Sequence, residues 1–103
     1  MTLLELFDDE SKWTQGNLAT DKDGQFCSPN STEAVKWCLI GGIYKCYTTS
    51  NPIIFGSMKY REIYDKLSDV SYRLFGEEWL TRWNDNPDRK FEDIRRLLAE
   101  ASV

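Results

Sequence analysis

Apolar positions along this chain change their spacing several times, and each change marks an element. Leu3, Leu6, Phe7 and Trp13 fall on one side of a helical wheel, with Asp8, Asp9 and Glu10 opposite. A short amphipathic helix is therefore expected over Leu3 to Trp13. The run Trp13 to Thr20, the tetrapeptide Asp21-Lys22-Asp23-Gly24 and the run Gln25 to Cys27 read as a β-hairpin, with Gly24 supplying the positive φ of the turn. Ser28-Pro29-Asn30-Ser31-Thr32-Glu33 reads as a stop and a restart, with Asn30 as N-cap and Glu33 reaching back as in a capping box. From about Ser31 to Tyr47 the polar side almost disappears: Ala34, Val35, Trp37, Cys38, Leu39, Ile40, Ile43, Tyr44, Cys46 and Tyr47 crowd the segment. A helix that is apolar nearly all round is buried nearly all round, so this is the expected central helix. Gly41-Gly42 in its middle costs about 1 kcal/mol per Gly relative to Ala, which predicts the close approach of another backbone.

Thr48-Thr49-Ser50-Asn51-Pro52 ends that helix, and Ile53-Ile54-Phe55-Gly56 follows as a short apolar link. Ser57 then caps an amphipathic helix to about Phe75. Tyr60, Ile63, Tyr64, Leu67, Val70, Ser71 and Leu74 form its stripe, and Gly76 is a natural residue to end it. Glu77 to Trp83 is expected to form one or two more turns. Asn84-Asp85-Asn86-Pro87 breaks the pattern, and a last helix is expected from about Asp88 to Ala101 on the stripe Phe91, Ile94, Leu97, Leu98 and Ala101. The chain thus reads as α+β: one mainly helical domain over residues 1–103, a central apolar helix packed by three or four others, and a small N-terminal β-hairpin.

Composition narrows the chemistry more than the fold. The 103 residues include no His, which removes the commonest general base, the commonest metal ligand and every Ser-His or Cys-His pair. Any catalysis would rest on carboxylates, Cys, Lys or Tyr. The net charge of −4 argues against general phosphate-backbone binding, so nucleic acid is not an expected partner. Three Cys, at 27, 38 and 46, show no C-x-x-C spacing, and neither a disulfide framework nor a zinc site is favoured. The first residues lack the basic and apolar regions of a signal peptide, and no stretch suits a membrane span, so a cytoplasmic location with free thiols is expected. Fourteen per cent aromatic residues fill a small core or line a groove for a ligand or partner.

Several motifs carry candidate chemistry. Asp21-x-Asp23-Gly24 resembles the start of a calcium loop, but Ala19 and Asn30 stand where that loop needs Asp and Glu, so a turn is expected and no metal. Arg82, Arg89, Lys90, Arg95 and Arg96 lie near Trp79 and Trp83, yet Asp85, Asp88, Glu92 and Asp93 share the stretch, which favours intrachain ion pairs over nucleic-acid binding. Trp83-Asn84-Asp85-Asn86-Pro87-Asp88-Arg89 is the densest polar run. It reads as a rigid helix–helix connection in which Arg89 could hold Asp85, or as a polar pocket for a small polar group.

Taken together, Trp13-Thr14-Gln15-Gly16, Asp21-x-Asp23-Gly24, Ala34-Val35-x-Trp37-Cys38-x-x-Gly41 and Trp83-Asn84-Asp85-x-Pro87-x-Arg89 resemble the signature of a family of small bacterial and phage proteins of unknown function. The resemblance runs over about residues 13 to 98. It departs at Gly41-Gly42, where the pattern has Gly-Ala, and at Lys90, where the pattern has a Thr that would cap the last helix. It implies that the hairpin and the Asn-Asp-Pro-Arg turn belong to one recurring unit, and it supplies no activity. The expected function is non-enzymatic binding of a protein partner, as a small phage or bacterial accessory or inhibitor protein, acting in the host cytoplasm if phage-encoded. The alternative is a small-ligand binder or carboxylate-based hydrolase that uses Trp13, Gln15, Asp21, Asp85 and Arg89. No cofactor is implied, and the oligomeric state is left open.

Overall fold

Thr2 and Glu5 close a capping box on the first turn of the chain: Glu5 N donates to Thr2 Oγ1 at 3.2 Å, and Thr2 N to Glu5 Oε1 at 3.1 Å. The helix they start, α1, covers only Leu3–Leu6. The longer helix expected to Trp13 is broken at Asp8-Asp9, because the Asp9 carboxylate accepts Ser11 N and starts a separate 3-10 turn over Glu10–Lys12. The apolar side was correctly placed: Leu3, Leu6 and Phe7 are buried in the core. The computed structural model describes residues 1–47 and 59–103, together with the backbone of residues 57–58.

The turn of the expected hairpin is present. Gly24 has φ 78°, Gly24 N donates to Asp21 O, and Asp21 N donates to Gln25 O. The strand that pairs most fully with β1 (Ala19–Thr20) comes from elsewhere, however. Thr20 meets Phe26 in an isolated antiparallel bridge, while β1 forms its antiparallel ladder with β2 (Lys36–Trp37), in the register Ala19 to Trp37 and Thr20 to Lys36. Residues Ser31–Trp37 are therefore not helical, which corrects the expected start of the central helix. Glu33 N bonds Ser31 Oγ in a local turn, and no helix starts at this point for Asn30 and Glu33 to cap. The central helix, α2, is Leu39–Tyr47. Val35, expected inside, is 41% exposed on the stretch that precedes β2.

The double glycine of α2 has the reason anticipated for it. A Cβ on Gly41 would stand 1.8 Å from the Leu18 carbonyl oxygen, and one on Gly42 would stand 2.6 Å from the Phe7 ring. The chain just before β1 and the core ring of Phe7 thus lie directly on α2, and only Gly permits that approach.

α3 (Ser57–Phe75) packs its Ile63, Leu67, Val70 and Ser71 inward, as the spacing predicts. It ends at Gly76, whose φ is 74° and whose N donates to Tyr72 O. The expected helix end at Thr48–Pro52, the link Ile53–Gly56 and the capping role of Ser57 lie outside the described residues. α4 is Leu80–Asp85, so Asn84 and Asp85 belong to a helix rather than to a break. α5 begins at Phe91, three residues later than expected, and runs to Ala101. Between them Asn86 Oδ1 accepts Asp88 N and Asn86 O accepts Arg89 N, so Pro87 sits in a tight turn and not in a first helical turn. Among the described residues one core joins the five α-helices and both strands, with Leu3, Phe7, Leu39, Ile43, Leu67, Leu80, Trp83, Ile94, Leu97 and Leu98 fully enclosed. No helix among the described residues is long and apolar enough to cross a membrane.

Candidate functional site

Asn84 stands where three parts of the chain meet. Its side chain, 1% exposed, accepts Trp13 Nε1 at 2.9 Å and Leu39 N at 3.0 Å through Oδ1. Its amide donates to Thr14 O at 3.2 Å and to Asp85 Oδ1 at 3.0 Å. Both donors and two acceptor positions of one amide are thus occupied, which is what burial of such a group requires. The bond to Leu39 N also satisfies one of the orphan donors at the start of α2. Beside it, Cys38 Sγ accepts Gly41 N at 3.3 Å, so α2 is capped by one side chain from α4 and by the thiol that precedes it.

The loop after Trp13 completes the clasp. Gln15 Nε2 donates to Asn84 O at 2.8 Å and to Asn86 O at 2.9 Å, and Gly16 N donates to Asp85 Oδ1 at 3.0 Å. Gly16 has φ 85°, a conformation that suits only Gly. The last carbonyls of α4 would otherwise lack donors. Gln15 takes one of them, and Arg89 Nε takes Trp83 O at 2.8 Å. The Arg89 guanidinium lies 4.3 Å over the Trp83 ring and 4.8 Å over Phe75, and burial lowers its pKa. Its carboxylate partner is Asp93 at 3.9 Å, not Asp85. Trp83 itself is fully buried, and its Nε1 finds no acceptor among the described residues.

Of the five candidate residues, Trp13, Gln15 and Asp85 are brought into this one network. Arg89 serves the same turn from the side of Trp83. Asp21 is elsewhere: its Oδ1 accepts Asp23 N and Gln25 N and so holds the β-turn. Two residues that sequence reasoning did not single out as site residues matter most. Asn84 was legible only as part of a polar run, and Cys38 only as a small apolar residue of a helix. The Arg cluster also behaves differently from the expected set of ion pairs, since Arg95 donates to Leu4 O and Phe7 O, ending α1, and Arg96 lies over Phe75.

The clasp borders a cleft of about 160 Å³, with Gly16, Asn17 and Leu18 on one side, Cys38 and Ile40 on a second, and Thr81, Asn84 and Asp85 on a third. Burial, chiefly, raises the pKa of the Cys38 thiol and keeps it protonated, which makes it a poor nucleophile. The three thiols are unpaired; Cys38 is buried, while Cys27 and Cys46 are partly buried.

A second feature lies on α3. Tyr44 of α2, Tyr60 and Tyr64 stack in a row, with ring centroids 4.7 Å and 6.0 Å apart. Farther along the same helix, Tyr72 is 62% exposed. Ser68 Oγ donates to Glu78 O at 2.6 Å, and Ser71 Oγ donates to Glu77 O. Those two bonds seat the segment leading to Trp79, itself 56% exposed, against α3.

Comparison with known proteins adds a family and no activity. A family model described as a family of unknown function, DUF6197, matches residues 4–102. No curated protein and no solved structure matches the chain.

Proposed function

For a chain that belongs to DUF6197, and so inherits no described activity, we propose non-enzymatic binding of a protein partner through the exposed aromatics Tyr72 on α3 and Trp79 just after it. The observation that carries this reading is the exposure of Tyr72 and Trp79, both more than half open to solvent. Tyr and Trp present large, rigid contact area and dominate the energetics of protein interfaces. The polar candidates for a catalytic or ligand site are, by contrast, already engaged in bonds that hold the fold: Trp13, Gln15 and Asp85 around Asn84 and the end of α4, Arg89 on Trp83 O, and Asp21 within its own turn. Asp85 lines the cleft of about 160 Å³, which falls below the roughly 300–1,000 Å³ of sites that enclose drug-sized ligands, while Trp13 and Gln15 border a wider surface hollow of about 640 Å³ and Trp13 and Arg89 one of about 440 Å³. On this reading the protein acts in a reducing cytoplasm, the host's if it is phage-encoded, as an accessory or inhibitor that occupies a partner's surface.

Site-specific photo-crosslinking in the native cell tests it. A photoreactive phenylalanine analogue at position 72 or 79 should give a discrete crosslinked species, while the same group at Glu100 should give none. The species from position 72 should weaken in a Trp79→Ala background, and that from position 79 in a Tyr72→Ala background, each with an unchanged melting temperature. Crosslinks from position 16 or 17 but none from 72 or 79 would overturn the reading in favour of the cleft. So would Asp85→Ala and Arg89→Ala variants that melt at or above wild type, because a structural clasp loses stability when cut, whereas residues kept for binding are often held at a cost to stability.

A further inference from the structure

The segment Gln15-Gly16-Asn17 has an unusual mode of attachment. At one end Thr14 N donates to Trp37 O at 3.0 Å, and at the other Cys38 N donates to Leu18 O at 3.1 Å, so both flanks are fixed to β2 and the start of α2. Between these anchors the three residues are exposed. Their hydrogen bonds reach the end of α4: Gln15 donates to the carbonyls of Asn84 and Asn86, and Gly16 N to Asp85. Beneath them lies the cleft lined by Cys38, Ile40 and Thr81. Cys38, next to the second anchor, is only 8% exposed.

A segment of this kind opens at low free energy. Its release breaks three hydrogen bonds and withdraws no side chain from the core, because none of the three residues contributes to it. Gly16 supplies the backbone freedom for the change, since it alone in the segment tolerates both signs of φ. α4 and α2 would remain in place, as Asn84 Oδ1 still holds Leu39 N and Trp13 Nε1 when Gln15 has left.

We propose that residues 15–17 form a strap, hinged at Thr14 and Leu18 and latched by Gln15 and Asp85 to the end of α4, whose opening widens the cleft and exposes the Cys38 thiol without unfolding the domain. Tyr72 and Trp79 take no part in this motion, so the strap stands or falls independently of the binding surface.

Cys38 is a built-in reporter of the motion. Alkylation by N-ethylmaleimide, followed residue by residue in the intact native chain by mass spectrometry, reads its accessibility, and Cys46 on α2 serves as the internal control. In wild type, the Cys38 rate should be insensitive to low urea, because a local opening exposes little surface, while any global route steepens with urea. Asp85→Ala, which removes one latch bond, should speed Cys38 by about tenfold, the effect of one lost hydrogen bond on a pre-opening equilibrium; Gln15→Ala, which removes two, should speed it at least as much; both should leave Cys46 within about twofold. Cys38 and Cys46 accelerating together would make the effect one of global stability and overturn the strap. A wild-type Cys38 rate that rises with urea as steeply as global unfolding would overturn it without recourse to any variant.

Discussion

At the scale of single residues, Asn84 does what no apolar side chain of its size can. Removing it leaves Leu39 N, Trp13 Nε1 and Thr14 O without partners, and Leu39 is fully buried. A buried group left unpaired costs about 1–3 kcal/mol. Asn84→Ala should therefore destabilise the domain by about 3 kcal/mol or more, a loss of about 15 °C in melting temperature for a domain this size. Asp85→Ala frees only the exposed Gly16 N and one contact to Asn84, and should cost about 1 kcal/mol. Urea unfolding of the two variants checks the order, and an Asn84→Ala cost no larger than that of Asp85→Ala would refute the hub role. The sequence made the polar run around Asn84 visible but not its partners. Those lie 69 to 71 residues away for Trp13, Thr14, Gln15 and Gly16, and local spacing carries no information about a bond across that distance.

At the scale of elements, legibility followed periodicity. α3 and α5 repeat their apolar positions every three or four residues for several turns, and of the expected stripes Ile63, Leu67, Val70, Ser71, Ile94, Leu97, Leu98 and Ala101 are buried, while Tyr60, Tyr64, Leu74 and Phe91 are partly so. The two-residue strands have no room for alternation, and β2 lies in a run so apolar that helix and strand cannot be told apart by pattern. The start of α2 was equally hidden, because its cap comes from α4 rather than from a Ser, Thr, Asp or Asn just upstream. The other weak cap was visible. Lys90 precedes α5 and gives no side-chain oxygen to it, although Asp93 Oδ2 accepts Lys90 N at 3.0 Å. Half of a capping box is therefore already in place. Lys90→Thr should complete it and stabilise the domain by about 0.5–1 kcal/mol, measured as a higher urea midpoint with an unchanged slope. An unchanged or lower midpoint would mean that the Lys90 side chain contributes something the backbone bonds do not reveal.

For the molecule as a whole, the absence of His and the burial of neutral acids set the pH response. No side chain has an ordinary pKa between 5 and 8 in this composition, so stability should be nearly level across that range. The alkaline side is different. Burial pushes the Cys46 thiol from an ordinary 9.0 up to about 11. Burial, with Tyr44 and Tyr64 close by, pushes the Tyr60 phenol from 10.0 up to about 12. Cys38 and Tyr47 move in the same direction, again chiefly through burial. Each is neutral when protonated, so a raised pKa means that the folded state keeps its proton after the unfolded chain has lost it. Between the two values the folded state binds more protons than the unfolded one, and the sign of linkage then makes stability fall as pH rises. The fall should begin near pH 9, where unfolded thiols ionise, and steepen above pH 10 as the unfolded tyrosines join. Urea midpoints at pH 7, 8.5, 9.5 and 10.5 measure it. Tyr60→Phe removes one contributor and should flatten the segment above pH 10 while leaving the slope near pH 9 intact, since the thiols still titrate there. A midpoint that stays level from pH 9 to 10.5 would show that these groups are far more open to water than their packing between α2 and α3 implies.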